Sequence, residues 1–165
     1  RDSCDEPEKQ AINMNASDLT GTWNLLRFWF TDEDGEEADP LGNAPVGNLN
    51  LGEDGNYAFT MMRKDRANYA ASDLLGGTVD EAAAAANGYV SFGGKWSFDG
   101  EAITFGILYS LFPNWVGGEQ KRLVSFNGDE LVLQTTGPIL MAGKVHRGAA
   151  RWIRAEPNKY EEKEK

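Results

Sequence analysis

One cysteine, Cys4, and one histidine, His146, are all that this chain of 165 residues carries of those two side chains. A lone cysteine excludes an intrachain disulfide and any cysteine-rich metal site. The compartment is therefore open between secreted or periplasmic and cytoplasmic, with no dependence on a disulfide. A lone histidine excludes multi-histidine metal centres and histidine relays. No uninterrupted apolar run reaches 18 residues, so no helix is expected to span a membrane. Basic residues are outnumbered, 16 against 26 acidic, for a net charge of −10. That balance argues against nucleic acid and anionic membrane surfaces as partners and mainly confers solubility. Part of the acid lies at the ends, in Asp2, Asp5, Glu6 and Glu8 and in Glu161, Glu162 and Glu164. Nucleophile elbows, phosphate loops and dinucleotide fingerprints are missing as well, so no cofactor is expected. The chain begins with Arg rather than Met, which points to processing or a partial sequence.

What is present fits a single globular domain. Its length predicts one core that needs neither metal nor disulfide, and 41% hydrophobic residues argue against disorder. Residues 1–17 are polar and irregular and read as an arm. Residues 18–157 read as the domain, and the charged stretch 158–165 reads as a tail. Asp34-Gly35, Asp54-Gly55, Asp99-Gly100 and Gly128-Asp129 punctuate the domain, and such pairs supply the positive φ that hairpin turns require.

Between these turns the residues favour strands. The predicted strands are 20–31, 46–51, 57–64, 89–98, 102–109, 121–126, 130–136 and 144–154. Eight consecutive strands joined by hairpins predict an all-β fold, an antiparallel up-and-down barrel. One helix is expected, over 78–87 in the third-to-fourth connection. Thr78 suits its N-cap, Asp80 and Glu81 its positive end, and Asn87-Gly88 its stop.

Strand faces supply the candidate binding residues. In the first strand Trp23, Leu25 and Trp29 share one face by simple alternation, and Leu26, Phe28 and Phe30 share the other. Both faces of the barrel are then expected to be apolar in places, covered by the arm, the helix or a second chain; an oligomer is open. Arg27, Arg63 and Arg122 each stand in a mostly apolar strand, where an inward guanidinium needs an acceptor. Such an arginine either anchors a polar ligand group or faces solvent. The aromatic residues Trp29, Tyr57, Tyr89, Trp96, Tyr109 and Trp115 serve equally as cavity wall or as packed core. His146, on the last strand, could act as a general base only if it points inward. The acids Asp32–Asp34, Glu36 and Glu37 fall at a hairpin tip and read as solvated turn residues, with calcium contact conceivable.

The segment Ser110-Leu111-Phe112-Pro113-Asn114-Trp115-Val116-Gly117-Gly118 joins two predicted strands but is apolar, where such connections are usually short and polar. It reads either as a plug closing one barrel end or as a lid or wall of a cavity.

Three blocks are similar to the bacterial and fungal lipocalin-like domain proteins, within the calycin group. They are Leu19-Thr20-Gly21-Thr22-Trp23-Asn24-Leu25-Leu26; Asp39-Pro40-Leu41-Gly42 with Pro45-Val46-Gly47, Asp54-Gly55 and Arg63; and Ser110–Gly118 with Gln120, Arg122 and Gly128-Asp129-Glu130-Leu131. The resemblance implies a barrel around an apolar cavity and spans nearly the whole domain. Relatives often carry a histidine in the strand before the Pro-Asn-Trp block. Ile103-Thr104-Phe105-Gly106 has none, so a proton-transfer role there does not carry over.

The reading that follows is binding of a small hydrophobic molecule. Its expected wall comprises Arg27, Trp29, Tyr57, Arg63, Tyr89, Trp96, Tyr109, Trp115 and Arg122, with Arg63 and Arg122 orienting a polar end of the ligand. Two alternatives stand beside it. One is a cofactor-free cyclase or isomerase acting on an apolar, polyketide-like substrate, a role the resemblance permits. The other is a structural or interaction protein with a side-chain-filled barrel.

Overall fold

Alternating apolar residues separated by Asp-Gly turns fold as those patterns dictate. The computed structural model describes residues 13–156. Most of the arm, with Cys4, and the tail from Asn158 lie outside the described residues. Among the described residues ten strands form: β1 (Gly21–Asp32), β2 (Glu37–Ala38), β3 (Val46–Leu51), β4 (Asn56–Met62), β5 (Tyr89–Phe98), β6 (Ala102–Ser110), β7 (Glu119–Asn127), β8 (Glu130–Thr135), β9 (Ile139–Met141) and β10 (Lys144–Arg154). Eight of them follow the order β1-β3-β4-β5-β6-β7-β8-β10, and β1 pairs with β10 to close an antiparallel barrel. The short β2 and β9, which strand propensity did not single out, extend the sheet beside β1 and β10. Helix α1 (Val79–Asn87) lies between β4 and β5. Thr78 caps it in a capping box with Glu81. Among the described residues, no helix is long and apolar enough to cross a membrane.

Simple alternation fails in β1 for one reason. The β1–β10 register shifts between Leu25 and Arg27, leaving Leu26 as a bulge. One extra residue reverses which parity points inward. Trp23 and Leu25 are therefore buried ahead of the bulge, and Phe30 after it, with Phe28 packed beside the core. Arg27 and Trp29 lie on the outer face. The first strand has one continuous apolar inner face, so the grouping of Trp29 with Trp23 by simple alternation is corrected, while Leu26, 36% exposed, and Trp29 remain as apolar groups outside it. A second shift, between Gly93 and Gly94, does the same to β6 and turns Tyr109 outward over Gly93.

An up-and-down barrel sends alternate connections to opposite ends. One end receives the tight turns 52–55, 99–101 and 128–129. Asp54 accepts from the Asn56 amide at 2.9 Å, and Asp99 accepts from the Glu101 and Ala102 amides at 2.8 and 2.7 Å. These backbone donors hold both carboxyls below their ordinary range. The same end is sealed by a 3₁₀ turn, Ala16–Asp18, leading into buried Leu19. Trp23 Nε1 donates to Leu19 O at 2.9 Å, and the Arg154 guanidinium lies 4.2 Å from the Trp23 ring. Arg154 also donates to Thr20 O and Asp18 O, both at 2.8 Å. The half of the barrel nearest this end is filled. Tyr57, Phe59, Phe92, Phe105 and Trp152 interlock there, with Phe59 and Phe92 stacked at 4.5 Å and Phe59 and Trp152 edge to face at 5.2 Å.

Candidate functional site

The other end receives the long connections: 33–45, 63–88, 111–118 and 136–143. Beneath them the barrel is not filled. A cavity of about 290 Å³ occupies the mouth half. Phe59 and Phe92 form its floor. Its sides come from Phe28 and Phe30 on β1, Met61 on β4, Val90 on β5, Leu133 on β8 and Ala150 on β10. Pro40, Leu41, Trp115 and the β9 residues Ile139, Leu140 and Met141 roof it. Space is kept open partly by Gly148, whose missing Cβ would come within 2.8 Å of the Phe30 ring. The lining is apolar except for Asn87, Thr135 and Arg122.

Trp115 sits in a 3₁₀ turn, Pro113–Trp115, which Pro113 starts with its fixed φ. Its ring meets Phe92 edge to face at 5.4 Å and Phe112 at 5.5 Å. The same ring borders a second, shallower groove on the outside, with Tyr89, Ser110 and Leu111. The connection is therefore half roof, half surface: Trp115 is tucked in, while Phe112 is 51% exposed.

Arg122 projects from the inner face of β7, between Ile103 on β6 and Thr135 on β8. Its Nη1 donates to Gln120 Oε1 at 3.1 Å and to Lys121 O at 2.9 Å. No carboxylate among the described residues pairs with it. Burial without a counter-charge pushes its pKa down to about 10, so it remains cationic at neutral pH. Thr135 Oγ1 accepts from the Gly148 amide at 3.1 Å, which leaves its hydroxyl hydrogen free.

Of the nine expected wall residues, Trp115 and Arg122 line this cavity. The other seven do not. Arg27 is on the outer face, donating to Asp39 Oδ1 and Glu37 Oε2 at 2.9 Å each, and those two bonds raise its pKa. Its guanidinium covers the Trp29 ring at 4.6 Å. Tyr57 is buried in the filled half, where its hydroxyl donates to Gly106 O at 3.0 Å and desolvation raises its pKa. Trp96 braces the closed end, with Nε1 donating to Gly52 O at 2.9 Å. Tyr89 lies outside, under the Arg66 guanidinium at 5.0 Å, and Tyr109 is 55% exposed. Arg63 stands at the rim and acts on the cavity indirectly. It donates to Pro40 O at 3.2 Å and to Asp65 Oδ1 at 3.1 Å, which fastens the connection carrying Leu41.

His146 faces inward but is spent: it is buried against Phe30, and its Nδ1 hydrogen bonds to Lys144 O at 2.9 Å. Asp32 Oδ1 accepts from the Asp34 and Glu36 amides at 2.9 Å each, which makes it a turn residue. Sequence reasoning missed the β9 lining. The signal was available as three apolar residues, Ile139-Leu140-Met141, ahead of the Ala142-Gly143 turn, where both residues have positive φ.

A family model for a lipocalin-like domain matches residues 20–155, and the chain belongs to that family. The chain is similar to the 4'-hydroxy-3'-methoxypropiophenone carrier protein of Aspergillus oryzae, with 29% identity over 100 residues that cover 56% of this chain and 90% of that protein. A solved lipocalin-like protein from Bacteroides uniformis superposes with a TM-score of 0.43 at 16% identity, over 84% of this chain and 99% of its own.

Proposed function

We propose that this lipocalin-like domain protein binds and carries one small, mainly apolar molecule in the mouth half of its barrel. The observation that carries the reading is the cavity: about 290 Å³, walled by aromatic and aliphatic side chains and held open by Gly148. At the packing density of protein interiors that volume takes about a dozen non-hydrogen atoms. A fatty acyl chain is too large for it; a substituted monocyclic aromatic is the right size. The similarity to a protein named as a carrier of a propiophenone supports the same class.

Carriage is favoured over cyclisation or isomerisation by the chemistry of the lining. It contains no carboxylate, histidine or tyrosine, the groups that most often move protons near neutral pH. Nor is the barrel a solid scaffold, since packing fills only its closed half.

The test is titration of 4-phenyl-2-butanone, an eleven-atom aromatic ketone, by calorimetry and tryptophan fluorescence. Saturable binding at one per chain is expected, with a change in Trp115 emission. Ala150→Leu places three more carbons in the cavity and should cost at least tenfold in affinity while the protein stays folded. Equal binding by that variant would put the probe outside the barrel and overturn the reading.

A further inference from the structure

We infer that the carried molecule bears an anionic oxygen, a carboxylate above all, and that Arg122 and Thr135 receive it. This deepens the carrier reading and rests on it.

Three observations lead there. Arg122 is the only ionisable residue in the lining. Its hydrogen bonds all leave from Nη1, to Gln120 Oε1 and Lys121 O. The Nε and Nη2 edge is left without an acceptor among the described residues, yet these nitrogens are not among the sealed, unpartnered polar atoms. The free edge is therefore accessible, on a residue that lines both the hollow and the cleft beside it. That edge is the half of a guanidinium that grips a carboxylate with two parallel hydrogen bonds.

Energetics make the arrangement informative. A half-buried cation without a counter-ion loses part of its hydration with nothing to offset it, a cost to stability. The fold supplies carboxylates even for arginines on its outer face and rim: Glu37 and Asp39 for Arg27, Asp65 for Arg63, Glu130 for Arg151. Arg122 alone faces an apolar hollow and has none. A neutral carbonyl would satisfy a donor but leave the charge uncompensated; an anion does both. Thr135, paired opposite Arg122 on β8 and bordering the same cavity, has a hydroxyl hydrogen to give to the same oxygens.

The two residues also border a surface cleft with Glu119, Gln120 and Lys121. Arg122 thus stands in the wall between the apolar hollow and solvent. A ligand held there has its ring against Phe28, Phe30 and Phe92 and its acidic end at β7 and β8. The class is a monocyclic aryl or short alkyl acid.

The test compares two probes of equal heavy-atom count, 3-phenylpropionate and 4-phenyl-2-butanone, at pH 7 by calorimetry. The wild type is expected to bind the acid about tenfold or more tightly than the ketone. Arg122→Met should erase that preference, the acid losing at least about tenfold more affinity than the ketone does. Arg122→Gln serves the same purpose if the methionine variant does not fold, as judged by circular dichroism. Ketone binding with no preference for the acid in the wild type overturns the anion inference and leaves carriage standing. An acid preference that survives in the Arg122 variants also overturns it. Binding of neither probe by folded wild type overturns both.

Discussion

Trp115 separates the cavity from the outer groove by the thickness of one ring, and its truncation distinguishes a roof from a plug. Partly exposed and held by Phe92 and Phe112, it contributes less to stability than a core tryptophan. Trp115→Ala is expected to weaken 4-phenyl-2-butanone binding by about tenfold while the melting temperature falls only a few degrees. Intact affinity with a large drop in melting temperature would make Trp115 a structural plug instead. This residue was legible from sequence because an apolar connection between strands must be buried against something. Arg122 was legible only as one of several arginines in apolar strands. Arg27 looks the same by composition, yet Glu37 and Asp39 neutralise it from a neighbouring connection, and no local pattern announces partners ten and twelve residues away. The distinction is tertiary, and so is the contrast between Trp115 and the five aromatics Trp29, Tyr57, Tyr89, Trp96 and Tyr109, which lie on the barrel's exterior or in its closed half.

Among the elements, strand boundaries were readable and strand orientation was not. The eight barrel strands lie within two residues of their expected limits at each end, because Asp-Gly turns fix where a strand must stop. The bulge at Leu26 has no signature in Leu25-Leu26-Arg27-Phe28-Trp29-Phe30, where both parities are apolar. The helix was readable for the opposite reason: its signals are local. Glu81 closes the capping box by accepting from the Thr78 amide at 2.9 Å, and its second oxygen accepts from the Ala70 amide at 2.8 Å. One carboxylate thus ties α1 to the connection that precedes it. The backbone donors of Thr78 and Ala70 hold its pKa below the ordinary 4.5. A carboxylate with a depressed folded value stabilises above its unfolded pKa and loses that contribution as pH falls through the folded one. The Ala70 and Thr78 amide resonances are therefore expected to titrate together, with a midpoint below 4.5, and to lose that step in Glu81→Ala. A midpoint at or above 4.5 would show that the tie is absent in solution.

Across the whole molecule, stability and binding are sorted to opposite ends. The closed end has tight turns, the Leu19 plug and the Trp23–Arg154 clasp; the mouth has long connections, exposed Leu140 and Phe112, and the hollow. Up-and-down topology permits this, because every second connection returns to the same end and each set can be shaped without the other. The sorting predicts that mutations separate the two properties. Arg154 braces the closed end through the Trp23 ring and through Thr20 O and Asp18 O, far from the mouth. Arg154→Ala removes a cation over an indole and two charge-assisted hydrogen bonds, a loss of about 2 kcal/mol. Urea denaturation should show that loss as a lower midpoint with an unchanged slope. Calorimetry on the folded variant should show 4-phenyl-2-butanone affinity within about twofold of wild type, since sites this far apart with no shared partner behave independently. Trp115→Ala should give the reverse pattern. If Arg154→Ala instead weakened binding as much as Trp115→Ala does, the two halves of the barrel would be coupled, and the packed aromatic floor would have to be treated as part of the binding site.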